Sequence, residues 1–570
     1  MNAADTPRFS IGVDYGTNSV RALVVDLADG REIATAVFDY PSGDAGILLD
    51  RRDPHLARQS PADYIDGFLN AVRQAVDAAT NTPGFAPDRV VGLGVDTTGS
   101  TPLPLDRNGM PLALDPAFKH NLAAQAWLRK DHTAAAEAAE ITELAGQRGE
   151  PYLAKCGGIY SPEWFWAKIL HCKRVAPDVF NAAWTWAELA DFIPAWATGN
   201  TDPTQMPRGI CAAGHKAMFN EQWGGLPSKN FLAQLDPALA DLRDRLYEKA
   251  LPSSEKAGEL TPDVAEKVGL PAGIPVAVGA FDAHHGAVGA GVQPGTLVKI
   301  MGTSTCDITV APMDRDLADV PGLCGIVPES VTPGDFGLEA GQSAVGDIFN
   351  WVASNLTPGQ HDDPARVHAR LTAEAEKLAP GESGLLALDW NNGNRTVLVN
   401  HRLTGLLVGQ TLHTTAAEIY RAAIEATAFG ALTIINRFEE FGVHIDQVVN
   451  CGGIAEKNPF VMQLYADVCN RPMKVSRSAQ TCALGAAIFG AVAGGAFDSV
   501  AAAQAKTTGV KETVYQPRPD AAAVYAELYE LYHMLHDAFG TRKQPDALHS
   551  VMPRLIDIRA RQRQGAPDHA

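Results

Sequence analysis

The chain has 570 residues, 46% of them hydrophobic and 20% charged, and a formal charge of −19. Such acidity argues against nucleic acid or an anionic membrane as a partner. The length allows two large domains or several smaller ones, each able to bury a core. Eight cysteines are scattered, none in a Cys-x-x-Cys pair, so buried free thiols of a reducing compartment are expected rather than disulfides or zinc. Residues 1–10 lack a basic leader with an apolar core, and no apolar run is long enough to span a bilayer. The expectation is a cytoplasmic protein.

In chain order, Phe9 to Tyr15 reads as a strand. Gly16, Thr17, Asn18 and Ser19 form a turn, and Val20 to Asp26 and Glu32 to Phe38 complete a β-meander. From Pro61 to Thr80, Tyr64, Phe68, Val72 and Val76 recur at helical spacing, with Ser60 placed to cap. Val90 to Val95 is a buried strand ending in Asp96 and a run of small hydroxyl residues to Thr101. Residues 106–258 are irregular and hold seven of the nine tryptophans, which suggests an elaborated layer packed on a core. Within it, residues 214–216 read as a Gly/Ala-rich loop, where a lysine is ordinarily solvated. Ile274 to Val278 is a buried strand that runs into a small-residue helix, with Asp282 at the junction.

Gly302, Thr303, Ser304 and Thr305 then repeat the hairpin tip at 16–19, again between two strands and 286 residues later. Two related halves follow, with a boundary near 286–295. In the second half, Thr415 to Phe441 is a long helix, and Gln447 to Cys451 is a strand that leads into Gly452 and Gly453. Pro459 to Cys469 is helical. Thr481 to Ala493 is rich in small residues, which permits close helix packing, and Ala521 to Phe539 is the last helix.

Three Gly-rich turns after strands, at 14–19, 302–305 and 452–458, offer backbone N–H groups to phosphate oxygens without a lysine. Together they predict a nucleotide held between two domains. No Walker-type G-x-x-x-x-G-K-[ST] run, no G-x-G-x-x-G after the first strand and no H-E-x-x-H exists. Adjacent His284 and His285 cannot face one site and read as structural. Asp14, beside the first turn, could hold Mg²⁺ through its waters, although an aspartate there also serves a turn. Asp282, at the carboxyl end of a strand, could take a proton from a bound hydroxyl or simply cap its helix.

These parts resemble the superfamily of sugar-kinase, actin and heat-shock-protein ATPases, and within it the FGGY carbohydrate kinases, from about Ile11 to Phe539. The resemblance is carried by the turns at Asp14, Gly302 and Cys451, and by the runs 94–101, 158–168, 213–216, 279–284, 301–307 and 337–343. It implies an α/β, two-domain, actin-like (ribonuclease H-like) fold with the active-site cleft between the domains. Residues 8–288 would bind sugar and carry the base, residues 289–542 would bind nucleotide, and residues 543–570 would be a polar tail. The implied activity moves the γ-phosphoryl of MgATP to L-ribulose, as in L-arabinose catabolism. D-ribulose, xylulose or ribitol are alternative acceptors, and a non-catalytic sugar sensor or chaperone-like ATPase is a more distant rival.

The implied sugar contacts are Asp96, Gly99, Ser100, Leu103, Lys216, Asp282 and Glu339, with Asp282 also the base. The implied nucleotide contacts are Asp14, Gly16, Thr17, Asn18, Ser19, Gly302, Thr303, Ser304, Gly341, Gly452, Gly453, Lys457 and Asn458. Glycerol kinases carry an Arg-Glu pair where this chain has Gly99 and Ser100, and the smaller pair suits a bulkier ketopentose. Family analogy also suggests a homodimer.

Overall fold

The computed structural model describes residues 8–314, 317–357 and 363–541, together with residue 548. Apart from that residue, the tail expected at 543–570 lies outside the described residues. β1 (Phe9–Tyr15), β2 (Ser19–Asp26) and β3 (Glu32–Asp39) form the expected meander. α1 (Pro61–Ala79) buries Tyr64, Phe68, Val72 and Val76 against it. Pro61 opens the helix, where its missing N–H is no loss, but the Ser60 hydroxyl makes no capping bond.

β4 (Val90–Thr97) follows. Residues 214–216 are not a loop: they end α2 (Ile210–Lys216). Its sequence is poor in polar residues because the helix is buried on nearly all sides. After β5 (Lys256–Glu259), the strand expected at 274–278 is β6 (Pro275–Ala277), and a further short strand, β7 (Ala280–Phe281), follows where the helix was expected to begin. The break shifts the register by one residue. Val276 faces Leu93 on β4, whereas Ala280 faces Asp96. α3 (Asp282–Gly289) starts where β7 ends. The first sheet runs β5-β6-β4-β1-β2-β3, with β7 also on β4.

The second sheet repeats this plan. β8 (Gly295–Met301) and β9 (Thr305–Pro312) make its hairpin, and β10 (Gly325–Pro328) and β11 (Asp335–Ala340) extend one side. α4 (Ala416–Glu440) begins with a Thr415–Glu418 capping box. β12 (Ile445–Cys451), β13 (Met473–Ser476), α5 (Thr481–Ala493) and β14 (Val510–Tyr515) follow. The sheet order is β10-β11-β9-β8-β12-β13-β14. In both sheets the leading hairpin has a parallel neighbour on its other side, β4 beside β1 and β12 beside β8. The aromatic middle forms its own core around Trp127, Trp164, Trp166 and Trp186. All eight cysteines are free, and no helix among the described residues is long and apolar enough to cross a membrane.

α3 and α5 lie between the sheets. α5 belongs to the second half by sequence, yet it presses on β1 and β4 of the first sheet. A methyl group on Gly12 would strike the Ala483 carbonyl, one on Gly94 the Ala486 carbonyl, and one on Gly92 the Gly490 carbonyl. Gly485 and Gly289 allow α5 and α3 the same backbone contact. Gly94→Ala forces a methyl into this seam, so it should destabilise the protein by about 1–3 kcal/mol through overpacking. Denaturant unfolding measures it, and wild-type stability would show that the seam is looser than described.

Candidate active site

Strand register gathers three carboxylates. Asp14 and Asp96 are direct partners on parallel β1 and β4, and Asp282 comes just after the pairing of Phe281 with Thr97. All three lie at strand carboxyl ends, where open α/β sheets bind ligands. Burial raises the Asp282 pKa to about 6; Asp14 reinforces that shift, whereas Arg129 and the Ala283 N–H oppose it. Oδ1 of Asp282 accepts the Ala283 N–H at 2.7 Å, so part of the group does serve the helix start. Burial also raises Asp14, against the pull of Asp96 and Arg21. Asp96 is fully buried, with no donor to either oxygen, and burial beside Asp14 and Asp282 pushes its pKa far up. The nearest cation to Asp14 is Arg21, at 3.7 Å. An acidic group so poorly compensated fits a divalent cation at Asp14.

Each hairpin tip is closed by a glycine N–H, reaching three residues on in the first and two in the second. Gly16 N–H donates to the Ser19 carbonyl at 2.9 Å, and Gly302 N–H to the Ser304 carbonyl at 3.0 Å. Gln59 braces the Thr17 carbonyl at 2.7 Å, and Asn18 donates to the Ala45 carbonyl at 2.6 Å. Thr303 is exposed and its carbonyl receives the Val345 N–H at 2.8 Å. At the third turn Gly452 has φ 91°, and a side chain there would press on the Met301 carbonyl at 2.4 Å or closer. Gly453 and Lys457 are exposed. Asn458 caps the helix over 459–469 through Val461 N–H at 3.2 Å. Gly341 is buried behind the second turn, its N–H on Thr396 Oγ1 at 2.9 Å, and lines a small cavity with Asp389, Arg395 and Tyr532.

α2 crosses to the second sheet: Val327 of β10 leaves no room for a side chain on Gly214, nor does His215 for one on Gly325. This crossing brings together residues 216, 284 and 339. Lys216 Nζ donates to Glu339 Oε2 at 2.9 Å, His215 Nδ1 faces the same oxygen at 3.5 Å, and His284 Nε2 meets His215 Nε2 at 3.0 Å. Burial pushes the Glu339 carboxyl up, but Lys216, with the imidazoles, outweighs it and holds it well below the usual range. Burial lowers His284 to about 4 and His285 to about 3, so both rings are neutral near pH 7. As expected, they point to different places, His284 to this group and His285 toward Asp96 at 3.9 Å.

His215, His284 and Glu339 are close enough to share a metal ion. The Lys216 ammonium already holds the carboxylate oxygen they would use, so the cluster is a hydrogen-bonded group. Gly99 lies against Phe281, whose ring a methyl at 99 would strike. Ser100 turns its hydroxyl to Glu188, and Leu103 packs into the core of the first sheet.

Sequence reasoning missed Arg129 and Arg395, both in irregular segments without a motif. Burial works against the charge on Arg129, but Glu163 and Asp282 sustain it, so the guanidinium belongs to the neighbourhood of the candidate base. Arg395 donates to the Thr305 carbonyl at 2.5 Å, at the foot of the second hairpin tip.

Two family models match the chain: the N-terminal domain of the FGGY family of carbohydrate kinases over residues 9–289, and the C-terminal domain over residues 297–494. A ribulokinase of Geobacillus thermodenitrificans is 43% identical over 548 residues, covering 94% of this chain and 95% of the relative. One from Mycolicibacterium smegmatis is 42% identical, covering 95% of each chain. Among solved structures, xylulose kinase from Rhodospirillum rubrum superposes with a TM-score of 0.75 at 24% identity, over 93% of this chain and 99% of its own. Plasmodium falciparum glycerol kinase with ADP gives 0.74 at 14% identity, over 93% and 98%. These two likenesses concern the fold.

Removing Lys216 would leave a buried carboxylate beside neutral rings. Lys216→Met should therefore cost about 3–5 kcal/mol of stability, and Glu339→Gln in the same chain should restore part of it. A double-mutant cycle in denaturant checks the coupling, and additive effects would mean the pair is energetically idle.

Proposed function

This chain belongs to the FGGY family of carbohydrate kinases, and from that premise we propose that it phosphorylates L-ribulose at the terminal 5-hydroxyl, giving L-ribulose 5-phosphate in L-arabinose catabolism. Kinases of this family use ATP as phosphoryl donor, and many curated relatives spanning nearly the whole chain are ribulokinases. The observation that carries the assignment is Asp282. It is a half-buried carboxylate with its pKa raised to about 6, and it feels the charges of both Asp14 beside the first hairpin tip and Glu339 of the α2 crossing. A group so placed can take a hydroxyl proton as the acceptor attacks.

Phosphoryl transfer asks the protein mostly for position and charge. In this reading the backbone N–H groups of the two hairpin tips, with Thr17, Ser19 and Thr303, hold the phosphates. Gly452, Gly453, Lys457 and Asn458 flank the nucleoside. Asp14 would hold Mg²⁺ through water, and that ion would neutralise phosphate charge. Lys216 and Glu339 give the sugar hydroxyls one donor and one acceptor, pre-set by their own ion pair. The small Gly99 and Ser100 leave the 96–101 turn room for a ketopentose. Closure of the cleft would exclude water, which otherwise competes as acceptor.

Asparagine can keep the bond from Ala283 N–H but cannot accept a proton, so Asp282→Asn should fold normally and lose about 10²–10⁴-fold in kcat. Wild-type turnover in that variant would remove Asp282 as the base. Because the base must be ionised, kcat/KM should be flat above pH 7 and fall as pH drops through about 6. An acid limb far from 6 would assign it to another group. Coupled ADP release over L-ribulose, D-ribulose, xylulose and ribitol tests the acceptor. The highest kcat/KM should belong to L-ribulose, and another winner would keep the kinase but overturn the sugar.

A further inference from the structure

The stretch Tyr160–Lys168 carries no chemistry in the mechanism above, yet it touches the candidate sugar site from two directions. At its start, the buried Tyr160 hydroxyl donates to the Lys216 carbonyl at 2.5 Å and accepts the Trp166 N–H at 3.0 Å. Trp166 Nε1 donates to the next carbonyl, Ala217, at 2.8 Å. The Trp164 ring lies 5.2 Å from the Lys216 ammonium, within cation–π range. Three aromatic side chains thus fix the end of α2 and the direction of its lysine.

At the other end, Lys168 is fully buried. An ammonium has three donors, and here each has a carbonyl: Ser100 at 2.9 Å, Trp127 at 3.1 Å and Leu128 at 3.0 Å. Ser100 is in the turn that follows β4, and Leu128 directly precedes Arg129. One charge therefore sets the spacing between that turn and the arginine next to Asp282. Glu188 grips the turn from the far side, accepting the Thr101 N–H at 2.7 Å and the Ser100 hydroxyl. Neither Lys168 nor Glu188 has exposure enough to meet a ligand.

We propose that Tyr160–Lys168 is the scaffold that sets sugar affinity and sugar discrimination, with Lys168 and Tyr160 as positioning residues acting through the 98–101 turn and Lys216. The proposal rests on the reading of this cleft as a sugar kinase site. A displacement of about 1 Å at a reacting group can cost 10²-fold, so small drifts of the turn or of α2 suffice to alter the choice of sugar. Among the described residues, the hydrogen bonds of Tyr160, Trp166 and Lys168 go to Lys216, Ala217, Ser100, Trp127 and Leu128 rather than to the nucleotide turns at 16–19 and 302–305, which should be spared.

The test is steady-state kinetics of Tyr160→Phe and Lys168→Met with L-ribulose, D-ribulose and ribitol, each against varied ATP. The sugar KM should rise about tenfold or more, as misplacement predicts, while the ATP KM stays within about twofold. The preference for L-ribulose over the other two should narrow about fivefold or more. A sugar KM and preference equal to wild type in Tyr160→Phe would overturn the proposal, as would equal losses for every sugar and for ATP, the mark of a merely structural role. Should Lys168→Met fail to fold, because three carbonyls lose their donor, Tyr160→Phe decides alone. A wild-type protein inactive on every sugar would instead overturn the kinase reading, and this inference with it.

Discussion

Everything in the site depends on how closely α5 can approach β1 and β4. Gly12, Gly92 and Gly94 present bare backbone to the carbonyls of Ala483, Gly490 and Ala486. On its other side, α5 meets α3 through Gly485 and Gly289. No side chain separates these elements, so few ways of sliding remain to them. α3 is thereby clamped, and Asp282 is its first residue. The glycines thereby hold Asp282 near Asp14 and Asp96.

Around that frame the protein sets carboxylates in two opposed environments. Asp14, Asp96 and Asp282 crowd together near Arg21 and Arg129, and burial and mutual repulsion raise their affinity for protons. Glu339 is also buried, but Lys216 sits on it and keeps it ionised. The divergence is what acid–base chemistry uses. A carboxylate pushed toward neutrality can exchange a proton near pH 7, whereas one held ionised can only accept hydrogen bonds. The imidazoles of His215 and His284 sit between the two sets and are neutral, since burial makes a second positive charge beside Lys216 unfavourable.

What could be read from residues alone was what depends on local chemistry. The hairpin tips at Gly16 and Gly302 were legible because a turn between two strands writes itself in small residues, and the repeat of one in the other exposed the two halves. The small-residue run of α5 announced close packing, although not that its partner would be the first sheet. The buried Lys216 was misread as solvated in a loop because a helix enclosed on all sides has no polar face to mark its period. The meeting of residues 216 and 339 depends on sheet order and on α2 crossing from one half to the other. No spacing along the chain encodes that, and only the resemblance to a family supplied it. Arg129 was invisible for the same reason: its importance comes from the strand ends it faces.

Phe281 shows why Asp282 and the 96–101 turn cannot vary independently. The residue precedes Asp282 and pairs with Thr97 on β4. Its ring lies against Gly99, where any side chain would collide, and within 5.7 Å of the Lys216 ammonium. One aromatic side chain therefore links the turn that follows β4, the lysine of α2 and, through the backbone, Asp282. A larger residue at 99 would have to displace the ring, and the displacement would be felt at Asp282. Bulk at this turn is thus limited by the position of Phe281 and, through it, of Asp282. The glycine there follows from the position of Phe281 even before any sugar is considered.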